Sequence, residues 1–493
     1  MKNIIALIFI TFSFQIQSQT VSDALRYSTL EAGATARTVG VGGAISALGA
    51  DYSVLSTNPA GLAAFRTSEF VITPMIYNST TESLLERGQG NTKNKESIGK
   101  FGLANIGVVL NNRPRNSKWT TFNFGIGYNR LASFDQEFVF KGQSQGSLVD
   151  RFTELANDGL FDEFEVGIAE DALAIYTDQS DPNLYLNDFD FADPNYEVER
   201  EQIVRSSGSL SELVLALAGN FDEKIMIGAT IGVPFINYEE TKNYSEAELE
   251  GADDVPFFNS LQFREDLSTS GIGVNLKLGM IYRINQMFRL GAAVHTPTAM
   301  ALTDNFSTRL VYDYTDGGGN NNTPQDSPDG SFDYRLKTPW RAIGSFGVII
   351  NRSGFLSADI EYVDYSSAEF NLTANSTSAD DKDYEIDLNN QISRGFQSAV
   401  NLRLGGEYAL NKLRFRGGFI ISGTPYADEN ITNKAYSLGF GIRERSFYID
   451  FAYRNSRFEE GYIPYLLADP SEEQFVTNEV SNSQFLVTAG FKF

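Results

Sequence analysis

Few side chains in this sequence are suited to catalysis or to metal binding. The 493 residues include no cysteine and one histidine, His295, which precedes Thr296-Pro297. Thiol nucleophiles, disulfide frameworks and cysteine metal sites are therefore excluded, and so are histidine triads and paired-histidine zinc sites. We predict no catalytic residue, no metal site and no cofactor, and we do not expect an enzyme.

Four arginines form the second group of residues that could take part in ligand binding. Each lies at a polar position of a segment in which apolar residues alternate, and each is expected to face the interior of a sheet structure: Arg403, Arg414, Arg416 and Arg443. They are candidates for binding the carboxylate head group of a ligand. The favoured alternative is that they pair with inward-facing acids, because buried charges require partners; the candidate acids are Glu361, Glu407 and Asp450.

Acidic residues dominate the charge of the chain, whose formal net charge is -24. A nucleic-acid partner is not expected, because binding to phosphates needs a basic surface. A predicted loop at 312–332 contains Asp313, Asp316, Asp326 and Asp329, whose oxygens are of the type that binds calcium. The spacing of an EF-hand is absent, so a solvated loop is favoured. A third loop, also acidic, is predicted at 373–390.

Strict alternation of apolar residues indicates the elements that carry these side chains. Ile272, Val274, Leu276, Leu278 and Met280 alternate with small or polar residues, and six other segments repeat the pattern clearly. Several predicted strands exceed the roughly 10 residues that a tilted membrane strand needs. Short polar turns separate many of them. We predict an all-β, membrane-spanning antiparallel barrel of about 14 strands over residues 67–493.

Both ends of the sequence favour export to an outer membrane. Residues 1–19 have a basic start at Lys2, an apolar core and a polar end, which predicts a cleaved signal peptide. The last segment alternates up to a terminal Phe493. Such an end resembles the signal by which barrel-assembly machinery recognises its clients, so this machinery and outer-membrane lipid are predicted partners.

The longest predicted loop spans 142–210. Leu148, Phe152, Leu155 and Ala156 recur at helical spacing there, which predicts one or two short amphipathic helices. They are expected to shape the mouth of the barrel, with each apolar residue packing within the loop itself.

Residues 20–66, which we call the hatch, are rich in Gly and Ala and contain the turn sequence Asn58-Pro59-Ala60-Gly61-Leu62. Small residues allow a segment to pack tightly inside a barrel. A Gly-Gly-Ala…Asn-Pro-Ala-Gly-Leu-Ala segment before a barrel resembles the N-terminal plug of the FadL/TodX family of channels for hydrophobic compounds. Later motifs, His295-Thr-Pro and Lys337-Thr-Pro-Trp, resemble strands of the same family.

The resemblance implies passive uptake of hydrophobic small molecules, such as long-chain fatty acids or aromatic hydrocarbons. Release would be sideways, through a gap at a kinked strand near residues 125–132, with Asn58, Pro59, Ala60 and Gly61 as gating residues close to it. A PorV-like component of a protein-secretion or surface-assembly complex, with a protein partner, remains the alternative. Haem uptake is less favoured, because only His295 is available as an axial ligand.

Overall fold

An antiparallel β-sheet that closes on itself forms most of the molecule. The computed structural model describes residues 21–31, 33–88, 90–251, 254–351, 353–372, 379–427, 429 and 432–493. The predicted signal peptide lies outside the described residues.

Fourteen strands form the barrel, which confirms the predicted fold class. They are β1 (Glu69–Leu85), β2 (Asn94–Asn112), β3 (Trp119–Ser133 and Gln136–Ser144), β4 (Val198–Phe221), β5 (Ile225–Glu248), β6 (Phe258–Arg283), β7 (Phe288–His295 and Ala299–Asp316), β8 (Gly319–Asp326, Gly330–Lys337 and Arg341–Ile350), β9 (Gly354–Asp364 and Glu369–Asn371), β10 (Ser398–Leu410), β11 (Leu413–Ser422), β12 (Asn433–Arg443), β13 (Phe447–Tyr462) and β14 (Val476–Lys492).

The ring of strands closes between its first and last members. β1 pairs with β14 from Glu69 opposite Lys492 to Leu85 opposite Val476. One end of the barrel has short turns, as predicted, including those that join Phe221 to Ile225 and Leu410 to Leu413. The other end carries the long connections. Short turns mark the periplasmic end of such barrels, so the long connections face outward.

The outer surface of the barrel changes from polar to apolar along each strand. On β6, the outward side chains are polar from Gln262 to Ser270 and apolar from Ile272 to Tyr282. Five of these apolar side chains are at least 43% exposed: Ile272, Val274, Leu278, Met280 and Tyr282. An exposed apolar band about ten residues tall is what a lipid bilayer requires. The barrel therefore spans a membrane, and its strands continue beyond the membrane on the outer side.

Helices occupy the interior and the outer mouth. The hatch contains α1 (Val21–Ser28), α2 (Ala36–Gly40) and two short 3-10 helices (Tyr52–Ser56 and Pro59–Ala64). The predicted loop helices are confirmed as α3 (Leu148–Asn157) and α4 (Val166–Asp171), and α5 (Ala379–Gly395) follows β9. None of the described helices combines the length and the apolar character needed to cross a bilayer.

The bounds of the three long loops differ from those predicted. The first loop, predicted at 142–210, covers only 145–197, because β4 begins at Val198 and runs for 24 residues. The predicted loop at 312–332 is mostly a β-hairpin in which Arg309–Asp316 pairs with Gly319–Asp326. The segment predicted as a third loop at 373–390 contains most of α5, and its residues 373–378 lie outside the described chain.

Candidate functional site

One side of the hatch packs against glycines of β2 and β3. Gly107 and Gly127 are opposite each other in the β2–β3 register. A Cβ on Gly107 would overlap the ring of Tyr52, and a Cβ on Gly127 would overlap its hydroxyl; Tyr52 is fully buried. Leu55 packs in the same way on Gly125. The absence of side chains on the wall thus lets the first 3-10 helix of the hatch lie directly on it.

The predicted gating residues lie on a different wall. Asn58 caps the second 3-10 helix by accepting from Ala60 N at 3.2 Å, and it donates to Ser46 O at 2.8 Å. Asn58 and Pro59 lie against Gly228 of β5 and Gly279 of β6. The same 3-10 helix then reaches β3, because Leu62 O accepts from Asn123 Nδ2 at 2.6 Å and Ala63 O accepts from Thr121 Oγ1 at 2.8 Å. The gating role of Asn58, Pro59, Ala60 and Gly61 stays a prediction.

A window in the barrel wall opens between β2 and β3. β3 pairs with β2 only from Phe122 to Asn129, opposite Asn112 to Asn105. The register between β3 and β4 shifts between Arg130 and Ala132, within the range predicted for a kink. Beyond that point the second segment of β3 pairs with β4 alone. Within the described chain, residues 94–104 of β2 consequently have β1 as their only strand partner.

The upper part of β3 leans into the barrel mouth. The Phe138 and Tyr462 rings are 5.0 Å apart, and Gln136 Nε2 donates to Glu460 Oε1 at 2.8 Å. At the top, Gln143 N donates to Asn91 Oδ1 at 2.9 Å and brings β3 back to the β1–β2 connection. The window is therefore bounded below by the Asn105–Asn129 pair and above by Asn91. Phe101, on the free edge of β2, is 79% exposed and points toward the lipid.

The four predicted lumen arginines pair with acidic side chains. Arg403 contacts Glu361 at 3.0 Å, as does Arg341 at 3.3 Å. Arg416 bridges Glu407 at 2.7 Å and Asp450 at 2.8 Å. The other two lie farther from the same acids, Arg414 at 3.7 Å from Glu407 and Arg443 at 3.5 Å from Asp450. The predicted pairing with Glu361, Glu407 and Asp450 is confirmed.

A small cavity above the lower hatch has a mixed lining. Leu30, Ser56, Asn129, Arg130 and His295 are among its walls, and it has room for only a few water molecules. His295 Nε2 lies 2.6 Å from Thr57 O, so this nitrogen already contacts the hatch. That contact argues against His295 as an axial haem ligand. A second small cavity adjoins the first and shares Leu30, Ser56 and His295.

Helix α1 fills the middle of the barrel. Tyr27 is buried among Phe134, Tyr238 and Tyr334, and the guanidinium of Arg26 lies 4.3 Å from the centre of the Tyr238 ring. The surrounding cluster is apolar and includes Leu302, Leu336 and Phe370. The volume that an apolar ligand would need inside the barrel is therefore occupied by the N-terminal part of the hatch.

The outer mouth is covered by residues 145–197, which we call the cap. Leu148, Val149, Phe152 and Ala156 of α3 are buried in an apolar core that includes Phe263 of β6. The prediction that they pack within the loop itself is therefore only partly right, because the Phe152 ring lies 5.5 Å from the Phe263 ring of the barrel wall. Ser147 and Asp150 form a capping box at the start of α3.

Asp150 should make the stability of the cap depend on pH. Burial, reinforced by Glu246 and Asp190, raises the pKa of this carboxyl to about 7, whereas an unfolded Asp titrates near 3.9. A raised pKa in the folded state means that the cap is least stable above pH 7 and gains stability as the pH falls toward 4. Hydrogen exchange of residues 148–157, corrected for its intrinsic pH dependence, should therefore be slower at pH 5.5 than at pH 8. Asp150→Asn should remove the difference; an unchanged pH dependence in that variant would assign it to another group.

Sequence reasoning missed the residues around the window. Asn105 and Asn129 are opposite each other and fully buried, and Arg130 follows at the register shift. Their signal is present in the sequence as Asn105-Ile-Gly107 and Gly127-Tyr-Asn129, where inward positions hold an amide next to glycine. The buried pair Lys277–Glu212, which holds Ser56 of the hatch through Glu212 at 2.9 Å, was also missed.

Comparison with known proteins supports this architecture. No family model and no curated protein matches the sequence. Among solved structures, the Pseudomonas aeruginosa FadL homologue matches with a TM-score of 0.52 and 15% identity over 94% of this chain and 99% of that one. The P. putida toluene transporter TodX matches with 0.54 and 13% over 94% and 99%. The Ralstonia pickettii toluene transporter TbuX matches with 0.50 and 14% over the same shares. At such identities the match concerns the fold, and the chain has the fold of the FadL and TodX channels.

Proposed function

We propose that this protein is an outer-membrane channel for the passive uptake of hydrophobic small molecules, which leave sideways through the window between β2 and β3. The observation that carries the proposal is the free edge of β2 at residues 94–104, whose lower part, from Phe101 to Ala104, lies at the level of the apolar band. Where strand pairing is missing at lipid depth, backbone N–H and C=O groups lose their hydrogen-bond partners, which costs free energy. Such an opening is therefore expected to have a function.

The interior supports the same route. The cap and α1 bury apolar clusters that line the path from the outer mouth toward the window. The lower hatch blocks the straight path to the periplasm, because it lies on the glycines of β2, β3, β5 and β6. A ligand that displaces α1 therefore has a shorter way into the membrane than through the hatch. Proteins of this fold include toluene transporters.

Native mass spectrometry of the protein, gently extracted from its own outer membrane, tests the proposal. A channel should carry bound fatty acid or hydrocarbon, without a protein partner. An empty barrel in stoichiometric complex with another protein would contradict the channel function.

A protein-interaction role is the second candidate, and the outer surface of the cap favours it. Four large apolar side chains there are at least 40% exposed: Phe161, Leu173, Leu184 and Phe191. A secretion or surface-assembly partner would cover them. We also infer that β14, together with the exposed Phe493 that follows it, is recognised by barrel-assembly machinery.

A further inference from the structure

Polar atoms without partners gather where β2 and β3 separate. Asn105 is fully buried, and neither its Oδ1 nor its Nδ2 has a hydrogen-bond partner. Asn129 Oδ1, opposite, is also unpartnered, although its Nδ2 donates to Ser56 Oγ at 2.7 Å. The Tyr52 hydroxyl and Arg130 Nε add two more unpartnered atoms. Each such atom costs free energy when buried, so the cluster calls for a polar occupant.

Arg130 gives this cluster a positive charge. Its guanidinium crosses the lower end of the window, because a Cβ on Gly102 of β2 would lie 3.2 Å from Arg130 Nη2. Arg130 Nη1 donates to Ser133 Oγ at 3.3 Å. No acidic side chain of the described chain forms an ion pair with Arg130 within 4.0 Å. Asp135 interacts with Arg130 electrostatically over a longer distance. The lumen arginines of β8, β10 and β11 differ, since acids neutralise them.

We propose that Asn105, Asn129, Tyr52 and Arg130 form a head-group site for a carboxylate at the exit of the channel. The two ligand oxygens would accept from the Asn105 amide, the Tyr52 hydroxyl and the Arg130 guanidinium. The alkyl tail would lie in the window beside Phe101 and enter the lipid first. This inference rests on the proposed function and narrows its substrate class to amphipathic carboxylates over neutral hydrocarbons.

Uptake of two labelled probes with the same chain length tests the site. Initial rates for dodecanoate and dodecane are measured in cells that lack other such channels and express the full-length protein. Arg130→Met should lower dodecanoate uptake about 10-fold, the effect of losing one charge-assisted hydrogen bond, and should leave dodecane uptake unchanged. Arg205→Met is the matched control, because Arg205 is an exposed arginine of β4 that forms an ion pair with Glu137; it should change neither rate.

Asn105→Leu separates a binding role from a structural one. Because the Asn105 amide has no partner, its replacement should leave the heat stability of the barrel equal or higher, while dodecanoate uptake falls. Equal loss of both probes in Arg130→Met, or unchanged rates for both, would overturn the head-group site and leave the channel intact. Failure of the wild-type protein to transport either probe would instead contradict the proposed function.

Discussion

Replacement of Arg416 by methionine should lower the free energy of unfolding by about 3–5 kcal/mol, the usual cost of removing one partner from a buried ion pair. Arg416 and Asp450 are both fully buried, and their contact is 2.8 Å long. Glu407 would lose its 2.7 Å contact with Arg416 as well. Among the described residues, the two carboxylates would then keep the more distant Arg37, Arg414 and Arg443 as ion-pair partners.

The effect should extend to the hatch. Arg37 of α2 reaches Glu407 at 3.5 Å and donates to Ala50 O at 2.8 Å. Gly40, at the end of α2, lies directly over Gly439 and the side chain of Arg416. Loss of Arg416 therefore removes both a charge and a surface on which α2 rests. Protease cleavage within the hatch should become faster in Arg416→Met, before the barrel itself unfolds.

The stability of such a barrel can be measured on a gel, where the folded barrel migrates as a compact species until heating unfolds it. Lys412→Met is the matched control, because the Lys412–Glu444 pair joins two neighbouring periplasmic turns, β10–β11 and β12–β13, and its side chains are 66% and 34% exposed. An exposed pair contributes about 0–1 kcal/mol, so this variant should unfold near the wild-type temperature. The double variant Arg416→Met/Asp450→Leu should recover part of the loss. Equal stability of Arg416→Met and Lys412→Met would show that the buried network does not support the fold.

The sequence predicts the wall of the barrel better than its interruptions. Alternation identifies β6 because side chains from Ile272 to Tyr282 meet lipid on one face and the interior on the other. Above the membrane the outward face of a strand is polar, and the inward face of β4 mixes apolar Val198 and Val204 with the buried Arg200 and Gln202, so the pattern fades. The start of β4 at Val198 was missed for that reason. The hairpin around Gly317-Gly318 was missed because pairing with β7 outweighs the low strand propensity of Gly, Asn and Asp.

The window depends on information that is absent from local sequence. Residues 130–144 of β3 are strand except at Phe134 and Asp135, and the main change is in their partner, from β2 and β4 to β4 alone. Pairing partners are set by the whole barrel. The same limit applies to Asn58: an Asn-Pro turn is visible in the sequence, but which wall it contacts depends on glycines more than 160 residues away, at Gly228 and Gly279.

Deletion of Asn58–Ala60 should abolish uptake of hydrophobic probes while the barrel still assembles. The two 3-10 helices of the hatch contact different strands, Tyr52 on β2 and β3 and Pro59 on β5 and β6. Three residues span up to about 10 Å of chain. Without them the hatch cannot keep both contacts, and it also loses the Asn58 hydrogen bonds to Ser46 O and Ala60 N. Assembly should survive because β1–β14 pairing closes the barrel without the hatch.

The expected loss of uptake follows from the position of Tyr52 next to Asn105 and Asn129 at the foot of the window. If the hatch is released from β5 and β6, Tyr52 no longer has a fixed support, and the exit no longer has a defined shape. Deletion of Asn320–Asn322, three exposed or half-exposed residues of the outer hairpin, controls for a shortened chain. Gly228→Val reaches the same region without a deletion, because its side chain would overlap Pro59. If an assembled barrel lacking Asn58–Ala60 takes up probes at the wild-type rate, the hatch does not control the window. If both hatch variants show near-background uptake and the outer-hairpin deletion shows normal uptake, the contact between the hatch and β5–β6 controls transport.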